Sequence, residues 1–110
     1  MDALHLTTSS HEDTVTVAVS GELDIATTEA LRSHLYDVLD QGNGGEVVLE
    51  VSELSFIDAA GLGALVAIRR QARHHDATLS LSGIPPAMAR LLRITELDGY
   101  FPLWQDDRRP

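Results

Sequence analysis

Cysteine is absent from this chain of 110 residues, which excludes disulfides and thiolate metal sites and leaves the redox compartment open. Lysine is absent too. Neither glycine cluster, QGNGG nor GLG, can therefore serve as a phosphate-binding loop, which needs a lysine after its last glycine. Long apolar runs are missing: none approaches the ~18–20 residues that cross a bilayer. The opening MDALHLTTSS lacks the basic start and apolar core of a secretory signal, so a soluble cytoplasmic chain is the expectation. Positive charge is scarce, 8 basic residues against 17 acids, for a net charge of −9. Binding a phosphate backbone depends on clustered Lys and Arg, so no nucleic-acid partner and no membrane partner are expected. An acidic surface would instead steer the chain toward a basic protein partner.

What is present reads as one compact domain, placed at 1–104, with a tail at 105–110. Leu4-His5-Leu6 suggests a short first strand, and SSHED a turn after it. Thr14-Val15-Thr16-Val17-Ala18-Val19-Ser20-Gly21 alternates with period two, the mark of a strand buried on one face. Leu31, Leu35, Val38 and Leu39 follow helical spacing, with Thr27 or Thr28 as N-cap and Gly42 as stop. Val47-Val48-Leu49-Glu50-Val51 is nearly all apolar, as in a central strand covered on both faces. A second helix is predicted from Gly61 to about His74, with Arg69, Arg70 and Arg73 on its back. Leu79 and Leu81 alternate with Ser80 and Ser82 as a further strand. Pro85 and Pro86 suit the opening of a third helix with Leu91, Leu92 and Ile94 inward. Leu97, Tyr100, Phe101, Leu103 and Trp104 are expected to pack a closing segment. Alternating strands and helices predict an α/β fold with parallel strand pairs. In such sheets partners meet the carboxyl ends of strands, where Asp24 and Asp58 stand.

Several chemistries can be weighed at those positions. Gly61-Leu62-Gly63 is not a dinucleotide fingerprint, because the third glycine position holds Val66. Gly61 and Gly63 read instead as close packing of a helix against the sheet. His74-His75 beside Asp76 reads as a solvated helix end, and no metal-ligand spacing stands out, so no metal or cofactor is expected. Asp24 and Asp58 are either a general acid and base pair or, for Asp58, a cap on the second helix. No candidate nucleophile accompanies them, and no catalytic residue is assigned. The 58–62 corner also favours negative charge, through free backbone N–H groups and the helix dipole.

The segments SGELDIATTEALR, VVLEVSELSFIDAAGLGALV and LSLSGIPPAMARLLRITELDGYFPLW follow one another from about Val15 to Trp104. In that order they resemble the STAS domain of the bacterial anti-sigma factor antagonist (anti-anti-sigma factor) family. The resemblance implies a mixed four- to five-stranded sheet flanked by helices. It also implies a non-enzymatic regulator of transcription that binds an anti-sigma factor, usually one that is also a serine protein kinase, and so frees a sigma factor. Asp24 and Asp58 match the family's paired acidic positions. The residue after the second aspartate is the family's phosphorylated serine or threonine, and here it is Ala59, followed by Ala60. The phosphorylation switch is therefore expected to be missing. The partner surface is assigned to Asp24, Ile25, Thr27, Asp58, Ala59, Ala60, Gly61 and Leu62, with Ile25 and Leu62 as its exposed apolar contacts. Two other readings share these residues: a STAS subunit of a lipid-transport ABC system docking on its ATPase, and a small hydrolase using Asp24 and Asp58.

Overall fold

The computed structural model of the protein describes residues 3–42 and 44–104; the tail expected at 105–110 lies outside the described residues. Seven elements follow in order: β1 (His5–His11), β2 (Thr14–Leu23), α1 (Thr28–Gln41), β3 (Gly45–Ile57), α2 (Ala59–His74), β4 (Ala77–Ser82) and α3 (Pro86–Ile94). The four strands form one mixed sheet in the order β1-β2-β3-β4, with β1 antiparallel to β2 and the other two pairs parallel. A fifth position is touched once, where Leu103 bridges Leu81 in parallel.

Register explains where the core lies. Val15, Val47 and Leu79 stand side by side across the sheet, as do Val17, Leu49 and Leu81. These rows point to one face. The strand order advances in a single direction, so two right-handed crossovers place α1 and α2 on that same face, where they pack against each other. Leu31, Leu35 and Leu39 of α1 and Leu65, Ile68 and Ala72 of α2 close the core against it. The opposite face carries Thr16, Val48 and Ser80 in register. Ser80 is buried there and donates its hydroxyl to a Glu46 carboxylate oxygen at 2.9 Å, satisfying a polar group that would otherwise be costly to hide.

Several expectations need correction. The first strand runs on through SSH to His11, and only Glu12 and Asp13 turn, Glu12 at φ 56°. The central strand extends from 47–51 to Gly45–Ile57, because β3 absorbs two bulges opposite Ala18–Ser20 and Gly21–Glu22. Each bulge adds one residue and breaks the apolar alternation from which strands are read. The second helix starts at Ala59, two residues before Gly61. Ile94 is 71% exposed and Met88 takes the inner position expected of it, since Met88 and Leu92, four apart, form the core side of α3 and Ile94 falls off that face. Leu103 is 60% exposed, while Phe101 fills the core. His75 is more than a solvated helix end: its Nε2 lies 2.9 Å from Asp40 of α1 and its Nδ1 3.0 Å from the Gln71 carbonyl.

Candidate functional site

Leu23 and Ile57 are register partners at the carboxyl ends of β2 and β3. Asp24 and Asp58 are the next residue on each strand, so the parallel pairing sets both carboxylates on one edge. The two chains then diverge in how they reach a helix.

After β2 the chain makes a short braced turn. The Thr27 hydroxyl accepts the Asp24 N–H at 2.9 Å and donates to the Glu22 carbonyl at 2.9 Å. The Asp24 carboxylate accepts the Ala26 N–H at 2.9 Å, and the Asp24 carbonyl accepts from both Thr27 and Thr28 amides at 3.0 Å. Asp and Thr favour such local side-chain to backbone bonds. Thr27 occupies the N-cap position of α1, yet its hydroxyl bonds back into the turn and makes no cap bond to the helix. Ile25 projects outward from this turn, 78% exposed.

After β3 a single extended residue suffices. Asp58, at φ −123° and ψ −172°, accepts the Gly61 N–H at 2.9 Å through its carboxylate, and its carbonyl accepts from Leu62 at 2.9 Å. It is the N-cap. Ala59 is then exposed and Ala60 half-buried, on a turn whose first amides have no partner within the helix. The two junctions touch through Gly61: a β-carbon built there would lie 2.6 Å from the Leu23 carbonyl oxygen. Only glycine lets α2 start this close to the end of β2. Gly63 does not share that role, since nothing lies within 4 Å of its missing side chain.

The edge thus joins Asp24, Ile25 and Thr27 to Asp58, Ala59, Ala60 and Gly61. Leu62 is different. It is 3% exposed and belongs to the core, because the third position after Ala59 already faces the sheet. The exposed apolar contact that sequence reasoning passed over is Phe56, 48% exposed and paired with Glu22. Its signal was available, as one of two phenylalanines in the chain directly before the Ile-Asp motif; the bulges that turn it outward were not. Both aspartates are engaged with backbone amides in shaping the edge. Among the described residues no group of three His, Asp or Glu side chains converges to hold a metal ion, and no helix is long and apolar enough to cross a membrane.

Comparison with known proteins bears on the family of this chain. A family model described as "Mlab, STAS domain" matches residues 6–105. An anti-sigma-B factor antagonist of Staphylococcus epidermidis is 31% identical over 94 residues, covering 86% of each chain. Among solved structures, an anti-sigma factor antagonist from Mycobacterium paratuberculosis superposes with a TM-score of 0.80 at 26% identity, over 96% of this chain and 88% of that one. The anti-sigma factor antagonist SpoIIAA in its unphosphorylated form gives 0.76 at 21%, over 96% and 90%. The overall fold is thus shared with these solved structures, and with a family match over residues 6–105 the chain belongs to the STAS domain family.

Proposed function

We propose that this protein is an anti-sigma factor antagonist that binds its anti-sigma factor through the edge formed by Asp24–Thr27 and Phe56–Gly61. The single observation carrying this reading is the display of Ile25 and Phe56 beside two structurally engaged carboxylates, on an edge where the core has no further use for them. Exposed apolar residues ringed by polar ones mark protein-binding surfaces. The relatives named above support the partner class. The aspartates supply a charged rim that would meet basic residues of the partner and speed encounter.

Ala59 gives the proposal its regulatory content. The residue stands at the first position of α2, exposed, where backbone amides and the helix dipole favour an anion. A methyl group offers no oxygen to phosphorylate. The complex with a kinase-type anti-sigma factor therefore persists in ATP. Ala59→Ser installs an acceptor, and Ala59→Glu weakens the complex by placing a charge against Asp58.

The test is incubation of the three proteins with a kinase-type anti-sigma factor from the same host and ATP, followed by intact mass and a binding titration. Phosphate on the unaltered chain between 55 and 63, or Ala59→Glu binding as tightly as the parent, overturns the regulatory reading. Absence of binding to any such anti-sigma factor, with capture of a transporter ATPase by the same edge, would assign the surface to the lipid-transport alternative.

A further inference from the structure

The solvent face of α2 departs from the usual pattern of a surface helix, which turns charged and polar residues outward. Positions three and four apart share a face. Opposite the buried Leu62, Leu65, Ile68 and Ala72 run Ala59, Gly63, Ala67, Arg70, Arg73 and His74, all exposed or half-exposed, with Val66 among them, half-buried against the core. From Ala59 to Ile68 the helix carries no polar side chain at all, and every ionisable residue in its remainder, Arg69, Arg70, Arg73 and His74, is basic. α2 holds three of the chain's eight basic residues and none of its seventeen acids.

Two conventional roles explain part of this charge. The Arg69 guanidinium stacks over the Tyr100 ring, 4.3 Å from its centre, and cations in the last turn complement the helix dipole. Neither explains the missing counter-charge. α1 shows the ordinary arrangement, with Arg32 held at 3.0 Å by Glu29 one turn earlier. Among the described residues no carboxylate lies within ion-pair distance of Arg70 or Arg73. Arg70, Arg73 and His74 line a shallow depression of about 330 Å³, and Arg73 also borders a second of about 200 Å³ beside Arg69, Thr78 and Pro102.

We infer that this face docks a helical segment of a protein partner, apolar where it lies along Ala59 to Ala67 and acidic where it meets Arg70, Arg73 and His74. The charge complementarity is local. Guanidinium groups take carboxylates in paired hydrogen bonds, while the net charge of −9 repels an acidic segment from most of the remaining surface. Such a segment is therefore oriented by this patch. Ala59, Gly63 and Ala67 let a partner backbone come close over the other half, where Val66 adds a half-buried apolar contact. An anionic membrane fits less well, because polybasic lipid contacts use clusters of about 4–8 basic residues. The inference deepens the proposed function and rests on it for the partner's identity, since the face continues from Ala59 some ~21 Å to Arg73 at the helical rise.

The test titrates ¹⁵N-labelled protein with two helical peptides of about 16 residues at physiological ionic strength. They share a leucine–alanine seam, one carrying glutamates and the other lysines. Amide shifts confined to α2, with the glutamate peptide binding at least about tenfold tighter, are the expected result. Arg70→Glu with Arg73→Glu is expected to reverse that preference. Gly63→Gln is expected to weaken both peptides about tenfold with the fold intact by circular dichroism. Equal affinity for the two peptides, shifts centred elsewhere, or the same shifts from phosphatidylglycerol vesicles overturn the inference. If it fails while an Ile25 variant still loses the anti-sigma factor, the edge reading stands alone; if the Ile25 variant also binds normally, both fall.

Discussion

The two strand-to-helix junctions of this domain solve one geometric problem in opposite ways. From β2 to α1 the chain spends four residues, Asp24 to Thr27, on a turn held by its own side chains, and so displays Ile25. From β3 to α2 it spends one residue, Asp58, and displays the first turn of the helix itself. The braced turn is stabilised locally and can change its exposed residue without disturbing the core. The direct junction is stabilised by tertiary contact, through Gly61 against Leu23. An exposed position on the first is cheap to vary, whereas the second confines variation to Ala59 and Ala60, the first of which carries the proposed loss of the switch.

The largest effect is expected at the direct junction. Gly61→Val has nowhere to put its β-carbon except into the Leu23 carbonyl and side chain, and should cost about 3 kcal/mol in chemical denaturation as an overpacked core site. A loss under 1 kcal/mol would mean that α2 slides freely and that the junction is not rigid. Next is Ile25→Asp, which should leave the melting temperature unchanged and weaken anti-sigma binding by about 2 kcal/mol, as for an exposed anchor. Normal affinity by calorimetry would remove the braced turn from the interface.

Smaller effects separate the two kinds of brace. Thr27→Val leaves the Asp24 amide without its acceptor and should cost about 1.5 kcal/mol in stability, with a loss of anti-sigma affinity as Ile25 becomes mobile; lost stability at full affinity would show that turn order is irrelevant to binding. Asp58→Ala removes the N-cap bond to Gly61 and should cost about 1 kcal/mol, visible as lower helicity before global unfolding.

The smallest effect lies at the far ends of the same two helices. The His75 ring faces two acceptors, so only the imidazolium satisfies both. Its pKa is raised, first by the Gln71 carbonyl and then by the Asp40 carboxylate, against partial burial. A raised folded-state pKa contributes stability that is fully present below the unfolded value of about 6.5 and disappears as pH rises through the folded value. Asp40→Asn should therefore lower the melting temperature at about pH 5.5 and have little effect at about pH 9. A gap between parent and variant that does not change with pH would show that the contact carries no charge.

The order of elements, the parallel pairing and the place of Asp24 and Asp58 at strand ends were legible in the chain, because alternation, helical spacing and capping residues are local signals that survive without tertiary context; the part given to Ala59 comes from the resemblance to the family. The sequence leaves Asp58 open between a helix cap and one of an acid–base pair; its bond to the Gly61 amide makes it the cap. Other features were decided only by packing. Leu62 reads as exposed beside a loop, yet the start of α2 two residues earlier turns it into the core. Phe56 lies beyond the strand read at 47–51, and two bulges in β3 against β2 decide that it is exposed at the strand's end. Ile94 reads with Leu91 and Leu92 as inward, but the buried face of α3 runs through Met88 and Leu92, and Ile94 falls outside it. The basic end of α2 is visible in sequence as three arginines, whereas their lack of partners depends on which acids the fold brings near. Sequence fixes what each segment prefers by itself; which face is covered depends on register and on where neighbouring elements stop, and those are set by atoms far apart in the chain.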